Sequence, residues 1–204
     1  METSLGVFLL SAAGISLTGV MFPGPVTAVT VAKGYSHKHA GASIAVGHAV
    51  VEIPLIAAIY LGLSRFMDSA RVVDAIFVVG GLMLLYLGFR MFRSVGDQPG
   101  EIGGVPGNPV AAGVVITGTN SAFYIWWVTL GVALVVGSAK YGLVGLILFA
   151  LVHWLCDLAW LEVLSVSTYK SRKWWTRGVQ RVVFRVCALV VVGFGVWFCV
   201  SAFV

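Results

Sequence analysis

GHAVVEIPL at residues 47–55 and VHWLCDLAW at residues 152–160 say the same thing twice. In each, a histidine is followed four residues later by a carboxylate: His48 then Glu52, His153 then Asp157. Both pairs are offset by the same 105 positions. At helical spacing, such a pair shares one face of its helix. The residues around them are apolar. An unpaired charge at the middle of a bilayer costs about 3 kcal/mol on insertion scales. Each acid therefore needs a partner, a wet cavity or a bound proton.

Composition puts these pairs in a membrane. Of 204 residues, 59% are hydrophobic and 10% charged, and the mean hydropathy is +0.99. The 13 basic and 8 acidic side chains are too few to cover a soluble globule this size. A soluble enzyme, a disordered chain and a nucleic-acid binder are excluded, and the net charge of +5 becomes a matter of topology and lipid contact. Six apolar stretches, about 4–33, 41–64, 72–92, 109–137, 142–167 and 182–203, are each long enough to span as a helix and too long for barrel strands. Glu2 and the lack of an early basic region argue against a cleaved signal peptide. Ten basic residues fall on the side of loops 1–2, 3–4 and 5–6, against Arg65, Arg71 and Lys140 on the other. That bias predicts a multi-pass protein with those loops in the cytoplasm and both termini outside. The run YKSRKWWTRGVQRVVFR at 169–185 reads as an interfacial anchor on anionic lipid. Cys156, Cys187 and Cys199 lie in apolar runs without a CxxC and read as small hydrophobes.

The repetition extends beyond the histidines. AIFVVGGLMLLY at 75–86 aligns with ALVVVGFGVWFC at 188–199, and the first and fourth stretches each carry a helix-disturbing element, Pro23-Gly24-Pro25 and Thr117-Gly118-Thr119-Asn120-Ser121. SVGDQPGEIGGVPGN at 94–108 reads as a linker. The expectation is an all-α integral membrane protein with a single transmembrane domain over 1–204. Repeat one would be 1–93 and repeat two 109–204, with helices 1 and 4 broken near mid-membrane. Three helices per repeat is an odd number, so the two halves are inverted, as in many secondary transporters.

Depth counting places the breaks and both acids near the bilayer centre. The helix resuming at Val26 starts with bare N–H groups and a positive dipole end suited to a carboxylate, with Thr27 and Thr30 on it. Asn120, Ser121 and Tyr124 offer polar groups from the fourth stretch, and Trp126 and Trp127 read as packing or as cavity wall. Glu162 faces elsewhere and is a weaker candidate, and Asp74 beside Arg71 reads as a solvated pair.

LTGVMFPGPVTAVTVAKG at 17–34 resembles the first-helix signature of the lysine exporter (LysE/RhtB-type) translocators. AGASIAVGHAVVEIPLIAAIYLGL resembles their second helix, and TNSAFYIWWVTLG their fourth-helix block. This chain has Ser121 where many members have proline, and Glu52 where the usual acid is aspartate. The resemblance implies an exporter in the cytoplasmic (inner) membrane for amino acids or similar small zwitterionic or cationic solutes, driven by a proton or ion gradient. The site expected is Pro23, Gly24, Pro25, Thr27, His48, Glu52, Asn120, Ser121, Tyr124, His153 and Asp157. The histidines, with an ordinary pKa near about 6.5, would relay or sense protons as an antiporter requires. Two histidines and two carboxylates on one cavity leave a divalent-metal exporter as the alternative, with the ion as cargo. No HExxH motif is present, so an enzyme is not expected, and no cofactor or resident metal is implied. Gly80, Gly81 and Gly193 would allow the close helix contact of a homodimer.

Overall fold

A computed structural model of the chain describes residues 4–63, 70–93 and 105–201. Residues 94–104 of the expected linker, Arg65 and the side chain of Arg71 lie outside the described residues. The described residues form helices and no strand. In chain order they are α1 (Leu5–Val20), α2 (Pro25–Ser36), α3 (Ala40–Ala58, prolonged by a π-helical stretch Ile59–Leu63), α4 (Ala70–Arg93), α5 (Pro109–Gly118), α6 (Ser121–Trp126, running on through a π-helical stretch Trp127–Gly131 into Val132–Ala139), α7 (Gly142–Ser171) and α8 (Arg177–Ser201). Four helices, Ala40–Gly62, Ser121–Ala139, Gly142–Trp174 and Arg177–Ser201, are long and apolar enough to cross a membrane, and the bent pair α1–α2 makes a fifth if taken as one span.

The two breaks follow from local chemistry. α1 stops at Val20, and α2 restarts at Pro25 after a 75° bend. Proline has no N–H to give the preceding turn, and its fixed φ suits the first position of a new helix. Gly24, the N-cap of α2, supplies no capping side chain. The second break has no proline. There the Thr119 amide donates back to Val115 O, the Asn120 amide donates to Thr117 O, and Asn120 is extended ahead of α6.

The helices meet through small residues. A Cβ on Gly41 of α3 would lie 1.9 Å from Leu161 O of α7, and one on Gly47 would lie 2.1 Å from Val110 O of α5. Only glycine permits those approaches, in the manner of membrane helix contacts. Gly80 and Gly81 are spent the same way, against Ser121 and against Cys199 and Gly195. Their close contacts are therefore within the chain, which corrects the reading of these two as a dimer face.

Two apolar clusters result. One gathers Ile44, Leu84, Leu87, Ile116, Leu161, Val191 and Phe198, and the other Ala12, Ile56, Trp127, Val135 and Phe149. α3 and α7 contribute to both, and the polar site occupies the interval between.

Candidate functional site

Along α3 the interval runs from Ala45 to Ile56 and holds His48 and Glu52. Along α7 it runs from Phe149 to Leu161 and holds His153 and Asp157. All four are buried, Glu52 at 1% exposure and Asp157 at 6%.

Helical spacing pairs each histidine with its own acid, but the contact between α3 and α7 rearranges the partners. Glu52 Oε1 lies 3.0 Å from His48 Nε2 and 3.0 Å from His153 Nε2. Asp157 stands back, with Oδ2 3.7 Å from His153 Nε2 and Oδ1 4.0 Å from His48 Nε2. Each imidazole is held at its other nitrogen by a hydroxyl near the end of a helix that is about to break. His48 Nδ1 lies 2.9 Å from Thr117 Oγ1 on α5, and His153 Nδ1 lies 2.7 Å from Ser16 Oγ on α1. Trp126 stacks on His153 and Phe123 meets His48 edge-on. Both rings are thus fixed in position and orientation.

These groups border a cavity of about 280 Å³. The first break supplies Gly24, Pro25, Val26 and Thr27 to its wall, the second Asn120, and α6 supplies Phe123, Trp126, Trp127 and Thr129. Five buried side-chain polar atoms lack a hydrogen-bond partner among the described residues, and four belong to the cavity wall: Glu52 Oε2, Asp157 Oδ2, Asn120 Oδ1 and Trp126 Nε1. Leaving a buried polar group unmatched costs about 1–3 kcal/mol, so their gathering at one cavity makes it the candidate site. A positive pole faces the same space. The first bond inside α2 is Ala28 N–H to Gly24 O, so the amides of Val26 and Thr27 precede the intrahelical ladder at the positive end of the helix dipole.

Of the residues expected from sequence, Gly24, Pro25, Thr27, His48, Glu52, Asn120, His153 and Asp157 line the cavity. Three do not. Pro23 is exposed at the bend, Ser121 is buried over Gly80, and Tyr124 donates its hydroxyl to Gly118 O at 3.1 Å, bracing the second break. Trp126 and Trp127 meet both expectations, lining the cavity while Trp127 also packs in the second apolar cluster. Sequence reasoning missed Ser16, one hydroxyl among several on an apolar helix. Glu162 lies away from the cavity and ties α7 to the start of α3, accepting from the Ala42 amide at 3.0 Å and pairing with His39.

As for metal, His48, Glu52 and Asp157 can each offer one ligand atom within 4.8 Å of the others. The expectation of a metal cargo called for both histidines on one ion, whereas Glu52 Oε1 stands between them at hydrogen-bonding distance from each. Metal export therefore gains no support from this geometry.

The model of one protein family, the LysE type translocators, matches residues 17–202. The chain belongs to the LysE type translocator family. No significant similarity joins it to a curated protein or to a solved structure. LysE type translocators are transporters rather than enzymes, and the apolar helices described above agree with a multi-pass membrane protein that moves small solutes.

Proposed function

We propose that this translocator exports amino acids, or solutes carrying the same paired charges, across the cytoplasmic membrane through the cavity between its two halves, in exchange for protons. The observation that carries the reading is the arrangement of unmatched groups. Glu52 Oε2, Asp157 Oδ2 and Asn120 Oδ1 are unmatched acceptors on residues of the cavity wall, suited to the donors of an ammonium. The unbonded amides at the start of α2 and Trp126 Nε1 are donors, suited to a carboxylate. An α-amino acid presents both charges on adjacent atoms. A purely anionic or apolar solute would leave the acids unmatched.

The architecture is read as six spans in two inverted repeats, with both termini outside. The helix contacts support the repeat, and the bias of basic residues supports the orientation. Exchanging the halves turns the contact of α1 with α7 into that of α5 with α3, while α4 with α8 and α3 with α7 map onto themselves, and all of these contacts occur. Proton exchange is supported by the two imidazoles on one carboxylate oxygen, since each Nε2 can hold or release a proton there.

The test is efflux of radiolabelled amino acids from proteoliposomes under an imposed pH gradient. Wild-type protein is expected to give saturable efflux that collapses when the gradient is dissipated. Glu52→Gln is expected to abolish efflux while the protein still inserts and elutes as a single species. Normal efflux from that variant would sink the mechanism, and efflux indifferent to the gradient would remove the proton from it.

A further inference from the structure

Exchange of the two halves also maps side chains. Ser16 goes to Thr117, His153 to His48 and Asp157 to Glu52, and the hydroxyl–imidazole bond at 2.7 Å maps onto the one at 2.9 Å. Only the acids break the correspondence. Glu52 receives both Nε2 atoms at 3.0 Å, and Asp157 receives neither within hydrogen-bonding distance. We infer that Glu52 and Asp157 are alternate seats for one cation, with the two histidines always holding the acid that is not loaded. In the conformation described here they hold Glu52 and leave Asp157 to the cation. In the conformation open to the opposite side they hold Asp157 and release Glu52.

Three features point this way. First, both rings are fixed at Nδ1 by hydroxyls and faced by aromatics, so the Nε2 atoms stay near the cavity centre while the flexible carboxylates move to and from them. Second, the move is small: Asp157 already lies 3.7 Å and 4.0 Å from the two Nε2 atoms, and its buried Oδ2 makes no hydrogen bond. Third, among the described residues no acid besides Glu52 and Asp157 lines the cavity, so one cation has only these two to answer it. Two bare carboxylates this close in a low-dielectric site oppose one another, and engaging one with the histidines leaves the other as the sole strong attractor. In an inverted repeat, a state with one asymmetry has a counterpart with the opposite asymmetry. The inference rests on the inverted-repeat export reading above and adds to it which acid bears the cation in each state.

The experiment is sided thiol labelling without substrate. In a background with Cys156, Cys187 and Cys199 replaced by alanine, Val26→Cys on α2 and Thr129→Cys on α6, both on the cavity wall, report its accessibility to an impermeant maleimide added from one side of the membrane or the other. Removing the charge of one acid weakens the state in which the histidines hold it. Glu52→Gln and Asp157→Asn are therefore expected to move the ratio of labelling from the two sides in opposite directions, each by about tenfold. Shifts in the same direction, or no shift in either, overturn the exchange of seats. Should either variant not fold, the charge-preserving exchange Glu52→Asp with Asp157→Glu decides: a monodisperse protein that still exports supports equivalent seats, and one that does not overturns them. Wild-type efflux measured alongside keeps the two readings apart, because absent wild-type transport of all twenty amino acids refutes export while labelling shifts need no transport.

Discussion

Ser16 and Thr117 hold the two imidazoles from behind, and neither lines the cavity itself. Their role is positioning, so their loss should loosen the histidines without removing a charge. Ser16→Ala and Thr117→Val are each expected to slow export about tenfold, the value of one hydrogen bond to a group that carries charge in the cycle, with Ser16→Thr restoring the rate. Equal rates in all of these variants would show that the rings need no anchor. Trp126 makes a different kind of contribution. Its Nε1 is the only buried side-chain donor without a hydrogen-bond partner among the described cavity residues, so Trp126→Phe should raise KM about tenfold while kcat changes little. At this scale the sequence revealed the four ionisable residues, because spacing of four and a common offset are visible in one dimension. It did not reveal who bonds whom. That depends on α3 and α7 meeting face to face, which places His153 on Glu52 rather than on Asp157.

Among the elements, the first break was legible because Pro-Gly-Pro cannot continue a helix. The second was legible only as a cluster of polar residues, and the structure narrows it to Thr119 and Asn120. Tight packing of α3 between α5 and α7 was not legible, since Gly41 and Gly47 look like any small residues until a neighbouring backbone is set against them. Gly41→Val is expected to eliminate monodisperse protein in detergent, because even the first added carbon would overlap the Leu161 carbonyl. Gly14→Val on α1 is the control, with nothing within 4 Å of the added Cβ, and should leave yield and melting temperature unchanged. Comparable losses for both would place the sensitivity in the membrane insertion of glycine-rich helices rather than in helix contact. The π-helical stretch at Trp127–Gly131 lies where α6 passes the cavity, a common setting for such irregular turns, and no sequence periodicity announced it.

Across the whole molecule, the exposed surface is rich in large apolar side chains such as Leu10, Leu61, Val79, Val144 and Val182, as expected of a chain in lipid. Of the five buried side-chain polar atoms without a hydrogen-bond partner among the described residues, four belong to residues of one cavity. Composition made the membrane setting plain. The gathering of His48, Glu52, His153 and Asp157 at one cavity needed the fold, since apolar stretches constrain depth but not facing. The decisive measurement is ligand binding to purified protein by thermal shift across the twenty amino acids, repeated for the best ligand as its N-acetyl derivative and its methyl ester. Joint recognition of ammonium and carboxylate requires that the parent stabilise the protein saturably and that each derivative, lacking one charge, lose at least about tenfold in affinity. An N-acetyl derivative that binds as tightly as its parent would mean that Glu52 and Asp157 do not hold an ammonium, and the cavity would lose its assigned cargo.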